Sequence, residues 1–344
     1  MTEAGIRERA PLSVRAFEPD DVGPVVQLLR GALGDWPVVE GVEAVWGSEQ
    51  FFDWKHRSSP FGASQLIVAL AEGRIVGVRA FMPWRLTAGE VDIDAFRSAD
   101  AATRPELQRS GVFAQIRTVA DELLPPGAQL SFGTPNLKSY GATMKLGGRE
   151  VVEVIRPWVR VAVSRAAVAK ASRRDAPPPV EAPIAAQELA RDRQITELLE
   201  EIRAGEARLT TARSADYLRW RYGEAPIAYH ALADEAGGAL RGLALFRMRT
   251  ARGMPQAVIE ELLVRPGDRR TAGRLLRSIG AATQAPLLCC RFPSPSPQRM
   301  AAATAGFLPR RDGLPLVVKR LTDEAPEIAG PQRWALTLGD VEIF

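Results

Sequence analysis

TRPELQRSGVFAQI, residues 103–116, is the stretch that decides the fold. It follows a run at 91–103 that is typical of a β-strand, and it leads into apolar positions spaced as on one face of a helix. A turn that opens directly into a helix aims unpaired backbone N–H groups, and the positive end of the helix dipole, at one point. Gly111 lets the main chain approach a ligand without a Cβ in the way. The stretch predicts a site for an anion such as a diphosphate, with a plain strand-to-helix turn as the alternative.

The other elements of the first half follow from the same two periodicities. Two alternating runs separated by Glu72-Gly73 indicate a hairpin. The predicted order is strand 12–17, helix 22–33, hairpin strands 66–71 and 74–84, strand 91–103, helix 112–123, strand 129–133, helix 136–146 and one or two closing strands within 151–163. This order predicts a mixed α/β (α+β) fold with a mostly antiparallel central sheet flanked by helices.

An internal repeat divides the chain into two similar halves. WKHRSSP at residues 54–60 is echoed by WRYGEAP at 220–226, and three further echoes follow in the same order. The paired features are Trp54 to Pro60 and Trp220 to Pro226, Gly77 to Phe81 and Gly242 to Phe246, Thr103-Arg104-Pro105 and Val264-Arg265-Pro266, and Leu146-Gly147-Gly148 and Ala305-Gly306-Phe307. Four echoes in one order predict two copies of one fold.

A segment rich in Ala, Arg and Pro, about residues 163–187, separates the two copies. Pro177 to Pro179 deny it helix and sheet hydrogen bonds, so it reads as a linker. An irregular surface loop within one large domain is the alternative, although such long loops are uncommon in compact folds. The predicted organisation is a module at 1–164, a linker and connecting helix at 165–204, and a second module at 205–344.

With the motif of 103–116 in that order of elements, the chain resembles the GNAT superfamily of acyl-coenzyme A dependent N-acyltransferases. The family's pyrophosphate motif is R/Q-x-x-G-x-G/A, and Gln108, Arg109, Ser110 and Gly111 fit its first four places. Phe113 stands where the final small residue is expected, which is a departure from the pattern. The resemblance implies an acyl-coenzyme A donor, with these contact residues: Ala101, Ala102, Thr103, Gln108, Arg109, Ser110, Gly111, Val112, Phe113 and Asn136.

Residues 132–148, FGTPNLKSYGATMKLGG, resemble a second signature of the family. Asn136 matches a residue that contacts the pantetheine arm in many members. The tyrosine that many members use as a general acid is replaced by Thr143, while Tyr140 lies one turn earlier and is a candidate substitute or a packing residue. In the second copy the sequence GDRRTAGRLL is out of register with the pyrophosphate motif, so that copy is expected to keep the fold and lose the cradle.

Acyl transfer to an amine needs a neutral nucleophile, a polarised carbonyl and a route for protons. In this family the carbonyl is polarised by main-chain N–H groups where two strands diverge, which points to Ala101–Thr103. Asp92, Asp94, Ser98 and Asp100 would share one face of a strand with period two, and Asp100 is the candidate that binds the acceptor ammonium and relays its proton. Pairing with arginines or solvent exposure of these acids is an equal alternative.

The sequence contains only two histidines and two cysteines. His56 is a candidate base in the acceptor cleft, with a packing role as the alternative, and His230 is the only other histidine. Two histidines and the adjacent Cys289 and Cys290 supply no zinc site, so no metal is expected. Trp54, Trp84, Trp158 and Trp220 could line a groove, although core packing explains them more simply.

Composition restricts the classes of function. The 344 residues carry 45 Lys+Arg, nearly all Arg, against 41 Asp+Glu, and the interspersed signs favour a solvated surface over a nucleic-acid footprint. No apolar run is long enough for a membrane span and no secretion signal is evident, so the chain is expected to be cytoplasmic, as a monomer or homodimer.

The predicted function is therefore transfer of an acetyl or longer acyl group from acyl-coenzyme A to a primary amine in a cleft between two modules. The acceptor is a small-molecule or glycosylated amine, such as an amino sugar, or an aminoacyl or peptide N-terminus. A Fem-type aminoacyl-tRNA dependent transferase is one alternative, because it shares the doubled fold without a pyrophosphate cradle. A non-catalytic protein that senses acyl-coenzyme A or scaffolds a partner is another.

Overall fold

The computed structural model describes residues 12–34, 36–37, 47–108, 110–123, 127–145, 147–161, 180–251 and 253–341. Two mixed sheets with helices packed on their faces make up this part of the chain. Arg109, Leu146 and residues 162–179 of the predicted linker lie outside the described residues. No helix within the described ranges is long and apolar enough to cross a membrane.

The first sheet has the strand order β1-β2-β3-β4-β5-β14-β6, and β8 pairs with β3. Its strands from the first half are β1 (Leu12–Ala16), β2 (Gln65–Ala71), β3 (Arg74–Ala88), β4 (Val91–Thr103), β5 (Leu130–Gly133) and β6 (Glu150–Ile155), and the second half adds β8 (Thr210–Thr211) and β14 (Leu314–Arg320). The helices of the first half are α1 (Val22–Leu33), α2 (Ser48–His56), α3 (Val112–Leu123) and α4 (Leu137–Met144), with 3-10 turns at Pro19–Asp21 and Pro105–Leu107.

The second sheet has the order β13-β7-β12-β11-β10-β9. Its strands are β7 (Trp158–Val161), β9 (Tyr229–Ala236), β10 (Ala239–Ala251), β11 (Met254–Val264), β12 (Leu287–Cys290) and β13 (Leu308–Pro309). The helices are α5 (Ala185–Glu188), α6 (Asp192–Ala204), α7 (Ala215–Leu218), α8 (Arg269–Thr283) and α9 (Pro297–Thr304), with a π-helical turn at Arg219–Gly223 and a 3-10 turn at Pro331–Arg333. Each sheet has one parallel pair, β4 with β5 and β11 with β12, and is otherwise antiparallel.

The two halves exchange a strand. β7 belongs to the first half but lies in the second sheet between β12 and β13, while β14 belongs to the second half but lies in the first sheet between β5 and β6. The closing strands predicted within 151–163 therefore separate, because β6 stays in the first sheet and β7 leaves it. Sheet membership thus crosses the predicted boundaries at 164 and 205, and those boundaries stay a prediction.

The repeated tryptophans meet at the contact between the halves. The Trp54 Nε1–H donates to the Trp220 main-chain oxygen at 2.9 Å, and the Trp220 Nε1–H donates to the Trp54 oxygen at the same distance. The two rings stack with their centroids 5.3 Å apart. Both side chains are buried, so they are core residues rather than walls of an open groove. A reciprocal contact of this kind is what an approximate two-fold relation between two copies produces.

Close packing of strand on helix recurs in both halves at the repeated glycines. A Cβ placed on Gly77 would lie 2.6 Å from the Val112 Cγ1 in the first turn of α3. A Cβ placed on Gly242 would lie 2.7 Å from the Thr271 Cγ2 in the first turn of α8. Glycine at these two positions allows each helix to start directly against its sheet, which fixes where the helix N-terminus points.

Candidate active site

A cavity of about 690 Å³ opens where β4 and β5 diverge. The two strands pair only from Ala95 with Leu130 to Arg97 with Phe132, after which β5 runs into the turn before α4. The cavity is lined by Leu33, Lys55, Arg79, Arg97, Ser98, Ala99, Asp100, Ala101, Phe113, Ser131, Phe132, Gly133, Thr134, Pro135, Asn136, Ser139, Thr143, Arg149, Arg247, Arg249, Leu314, Val317 and Val341. Both halves of the chain therefore contribute to one cavity.

A bulge in β4 sets the direction of Asp100. Ser98 pairs with Phe81 and Ala101 with Arg79, so one more residue lies on β4 than on β3 between these pairs. The predicted acidic row along one face is therefore wrong, because the bulge breaks the period of two. Asp92 and Asp94 are exposed and pair with Arg203 and Arg85, and only Asp100 of the three acids lines the cavity.

Asp100 joins a buried polar cluster with two neighbours from α2. The Lys55 Nζ donates to the Asp100 Oδ1 at 3.0 Å and lies 2.9 Å from the Asp100 Oδ2. The His56 Nε2 lies 3.0 Å from Oδ2, and the His56 Nδ1 lies 3.0 Å from the Ser64 Oγ. A carboxylate only accepts, so the His56 Nε2 carries the proton and its Nδ1 accepts from the Ser64 hydroxyl. Lys55 and Asp100 line the cavity, whereas His56 lies behind them.

Burial and mutual charge set the protonation of this cluster. Burial lowers the pKa of the Lys55 amine, although the Asp100 charge opposes the shift. Burial also lowers the pKa of His56 and keeps its imidazole neutral against the pull of Asp100. Burial alone would raise the pKa of Asp100, but the Lys55 charge and the His56 hydrogen bond hold it well below its usual range. Asp100 is thus ionised, and Lys55 is the group in the cavity with a proton to exchange.

The turn before α3 contains a glycine in the left-handed region. The Ser110 hydroxyl donates to the Leu107 main-chain oxygen at 2.6 Å, and Gly111 takes the left-handed φ of 95° that favours glycine. Nothing within 4 Å would meet a Cβ at Gly111, so the space beside it is open. Because α3 begins at Val112, the N–H groups of its first turn have no hydrogen-bond partner within the helix.

Phe113 does not plug this turn. Its half-buried ring lies on the Arg79 guanidinium, 5.1 Å from centroid to Cζ, and the same guanidinium lies 4.6 Å from the Phe81 ring centroid. The aromatic residue in place of a small one thus covers a cation beside α3. Phe113 and Arg79 both line the cavity, which therefore extends to the first turn of α3.

Three of the predicted donor-site residues, Ala101, Phe113 and Asn136, line the cavity. Ala102 and Val112 are buried, and Thr103 is half-buried and pairs with Gly77. Gln108, Ser110 and Gly111 belong to the turn before α3 and are not among the residues that line the cavity. Arg109 lies outside the described residues.

The arrangement matches solved structures at low sequence identity. Over 91% of this chain and 73% of that chain, it is similar to a GCN5-related N-acetyltransferase from Anabaena variabilis, with 11% identity and a TM-score of 0.65. A probable N-acyltransferase from Enterococcus faecalis matches over 90% of this chain and 73% of its own, with 14% identity and a TM-score of 0.59. A GCN5-related N-acetyltransferase from Kribbella flavida matches over 91% and 71%, with 13% identity and a TM-score of 0.58. The fold is GNAT-like. No protein-family model and no curated protein sequence matches the chain.

Within the GNAT-like fold, Tyr140 is exposed on α4 and does not line the cavity. Ser139 and Thr143, on the same helix, do line it. The prediction of Tyr140 as a general acid therefore gains no support from its position, because a proton donor must reach the reacting atoms.

Six basic residues of the cavity escaped the sequence prediction: Lys55, Arg79, Arg97, Arg149, Arg247 and Arg249. Lys55 directly precedes His56 in the repeated Trp segment, and that adjacency was the available signal. The arginines gave no signal, because whether they face inward depends on the fold and, for Arg247 and Arg249, on the contact between the halves.

The second half carries a modified counterpart of this site. In register, Glu261 of β11 stands where Asp100 stands in β4, and it accepts a hydrogen bond from the Tyr222 hydroxyl at 3.0 Å. Burial raises the pKa of Glu261, although Arg213 opposes the shift. The N-terminus of α8 is capped by Asp268, whose Oδ1 accepts from the Thr271 N–H at 2.9 Å. A carboxylate thus occupies the N-terminus of α8.

Proposed function

We propose that this chain is an N-acyltransferase that uses acetyl-coenzyme A or a longer acyl-coenzyme A as donor and a primary amine as acceptor. The observation that carries the proposal is the cavity at the divergence of β4 and β5, which is lined by the Lys55–Asp100 pair and by Phe113 in the first turn of α3, two residues after Gly111. One end offers main-chain N–H groups to a diphosphate, and the other offers a buried base and a carboxylate to an amine.

The donor would lie along the α3 side of the cavity. The first turn of α3 and the Ser110-Gly111 turn would hold the diphosphate, and Asn136 at the start of α4 would contact the pantetheine arm. The edge of β4 beyond Arg97 has lost β5 as a neighbour, so its main chain near Ala101 is available to polarise the thioester carbonyl.

The acceptor would bind on the Lys55 side. Ionised Asp100 attracts the acceptor ammonium. The form of Lys55 that has released its own proton, which burial favours, removes a proton from that ammonium, with His56 as a positioning residue behind Asp100. The free amine then attacks the thioester carbonyl, the C–N bond forms, the C–S bond breaks and coenzyme A leaves as a thiolate. The Lys55 ammonium then gives its proton to the thiolate, and the nitrogen of the new amide releases its second proton to solvent.

We further propose that residues 1–164 and 205–344 are two copies of one module, of which the first binds the donor. The reciprocal Trp54 and Trp220 hydrogen bonds and the equivalent positions of Asp100 and Glu261 support the duplication. The carboxylate of Asp268 at the α8 N-terminus supports loss of the diphosphate cradle from the second copy.

Release of free thiol from acetyl-coenzyme A and longer acyl-coenzymes A, measured across a panel of amines, tests the activity. Protection from thermal unfolding by coenzyme A tests the donor site, because a ligand that binds only the folded state raises its melting temperature. Gly111→Trp should weaken coenzyme A binding about 10-fold or more, equivalent to about 1.4 kcal/mol, because the indole fills the space above the turn.

Gly73→Trp is the matched control, since Gly73 is also exposed at positive φ with nothing within 4 Å but lies in the β2–β3 hairpin. It should lose a similar amount of stability and keep coenzyme A binding. Equal loss of binding in both variants would contradict the assignment of the turn. Binding without turnover would favour a sensor, and indifference to coenzyme A with binding to tRNA would favour a Fem-type transferase.

A further inference from the structure

A second cavity, of about 950 Å³, lies between α8 and α9 in the second half of the chain. Small residues line it from both helices, with Gly273 on α8, Ala301 on α9 and Ala305 just after α9. Its other lining residues are Arg160, Gly267, Asp268, Arg269, Arg270, Arg274, Arg277 and Thr304. A cleft of this volume can hold a small-molecule ligand.

The described lining of this arginine cleft contains five arginines and a single carboxylate. The sequence of α8, RRTAGRLLRSIGAAT, supplies four of the arginines and contains no acid. Arg270, Arg274 and Arg277 are spaced by four and three positions, so they lie on one side of the helix. The fifth, Arg160, lies on β7, the strand that the first half places in the second sheet. Both halves of the chain therefore build the arginine cleft.

The arginine cleft lacks the acids that balance arginines elsewhere in the described chain. Exposed arginines on other elements pair with neighbouring acids, for example Arg57 with Asp53, Arg85 with Asp94 and Arg193 with Glu197. In the cleft, Arg274 pairs with Asp234, from its Nε to Oδ2 at 2.7 Å. Among the described residues, no ion pair is formed by the other four arginines of the cleft: Arg160, Arg269, Arg270 and Arg277.

The one carboxylate that lines the cleft, that of Asp268, is already engaged. It accepts hydrogen bonds from the Thr271 N–H and hydroxyl, and it lies 3.8 Å from the Arg241 guanidinium outside the cleft. Several guanidinium groups around one cleft thus lack a counter-charge from the described protein, and this local excess of positive charge attracts an anion.

Two of these arginines are held in place by uncharged neighbours. Arg269 on α8 donates to the Thr304 hydroxyl on α9. The Arg160 guanidinium lies 5.5 Å from the Phe307 ring centroid, and a Cβ placed on Gly280 of α8 would lie 2.8 Å from its Nη2. The Arg160 Nε is buried and has no hydrogen-bond partner among the described residues. These contacts orient the two guanidinium groups without neutralising them, and a ligand can supply the missing acceptor.

We propose that the arginine cleft binds a small molecule with two or more phosphate groups, such as inorganic pyrophosphate or a nucleoside diphosphate. A guanidinium makes two parallel hydrogen bonds to a phosphate, and several of them around one cleft match a ligand with several negative charges. The site is built from side chains along α8, because Asp268 already occupies the N-terminus of that helix. It shares no lining residue with the cavity at β4 and β5, so it is a second site, separate from the proposed donor site.

Isothermal titration calorimetry of the full chain with pyrophosphate, ADP and AMP at constant ionic strength tests the proposal. Pyrophosphate and ADP should bind more tightly than AMP, and this binding should persist in Gly111→Trp, which blocks the proposed donor site. Arg270→Gln and Arg277→Gln should each raise the Kd by about 10- to 100-fold, the range that a charge-assisted hydrogen bond supplies. Arg74→Gln, which removes an exposed arginine of the β2–β3 hairpin, is the control that should leave the Kd unchanged.

A further variant separates binding in the cleft from loose attraction to its charges. A Cβ placed on Gly273 would meet only the Arg277 Nη1, at 3.5 Å, so Gly273→Leu fits the fold. Leucine favours helix more than glycine does, so the melting temperature should stay the same or rise. The new side chain enters the cleft between α8 and α9, and it should raise the Kd for pyrophosphate and ADP about 10-fold or more.

The outcomes divide clearly. Tighter binding of ADP than of pyrophosphate would support the proposal with a nucleotide as the ligand, and the reverse order would support it with a free diphosphate. Binding that survives Gly273→Leu would mean diffuse attraction to surface arginines and would overturn the proposal. Binding that is lost in Gly111→Trp and kept in both arginine variants would place it at α3 and overturn the proposal, as would no binding to the wild type. Release of thiol from acyl-coenzyme A does not enter these measurements, so the proposed function is tested separately.

Discussion

Removal of the Asp100 charge should destabilise the protein in a manner that depends on pH. Asp100→Asn keeps the size of the side chain but leaves the buried Lys55 without a counter-charge. Loss of one partner of a buried ion pair costs about 3–5 kcal/mol. Lys55 can escape by releasing its proton, which costs about 1.4 kcal/mol for each pH unit below the ordinary lysine pKa of about 10.4. The loss is therefore capped at about 4.6 kcal/mol at pH 7 and about 1.9 kcal/mol at pH 9.

The direction of this pH dependence follows from the linkage between proton binding and folding. The folded variant holds Lys55 with a depressed pKa, so the unfolded chain binds more protons and stability rises with pH relative to the wild type. The free energy of unfolding is measured with urea at pH 7 and pH 9 for four proteins: the wild type, Asp100→Asn, Lys55→Met and the double variant. The double variant should be more stable than Asp100→Asn at pH 7, since no buried charge remains. A cost below about 1 kcal/mol at pH 7, or one that is the same at pH 9, would refute this account of the pair.

Three further predictions concern the contact between the halves, the α3 packing and the base. Trp54→Phe and Trp220→Phe should each lower the free energy of unfolding by about 1–3 kcal/mol, because each removes one of two reciprocal hydrogen bonds. The two losses, measured by chemical unfolding, should be similar, and very different losses would contradict the two-fold relation. Gly77→Ala should cost about 1–3 kcal/mol and weaken coenzyme A binding in a titration, because its Cβ displaces the first turn of α3; unchanged affinity would separate that turn from the donor. The plot of kcat against pH should rise through a pKa below 10.5 that belongs to Lys55. Asp100→Asn should move this rise to lower pH, because the Asp100 charge raises the pKa of Lys55. A rise that does not move would exclude Lys55 as the base.

Local patterns predicted most of the first half. The strand at 91–103 and the helix at 112–123 match β4 and α3 in their bounds, and the hairpin forms across Glu72-Gly73. These elements are determined by periodicity within a short window, which the sequence displays directly. The φ of 95° at Gly111, which favours glycine, was not part of that prediction, because the periodicity of side chains does not give backbone dihedral angles.

Features that depend on contacts between residues distant in the sequence were not predicted. β14 enters the first sheet between β5 and β6, and no pattern in residues 314–320 distinguishes that sheet from the second. The bulge that turns Asp100 away from the row of Asp94 depends on pairing with β3. Lys55 resembles a surface lysine in sequence, and only the packing of α2 against the sheet shows that it is buried. Charge inside a cavity formed by two halves is a property of the assembled chain.

Hydrogen exchange of the backbone amides at residues 111–114, with and without coenzyme A, tests the central claim most directly. These N–H groups are the proposed ligands of the diphosphate, so saturating coenzyme A should slow their exchange, together with that of the amides near Asn136. Unchanged exchange at 111–114 under saturating coenzyme A would mean that the donor does not bind at the start of α3, and the proposed transferase site would be contradicted.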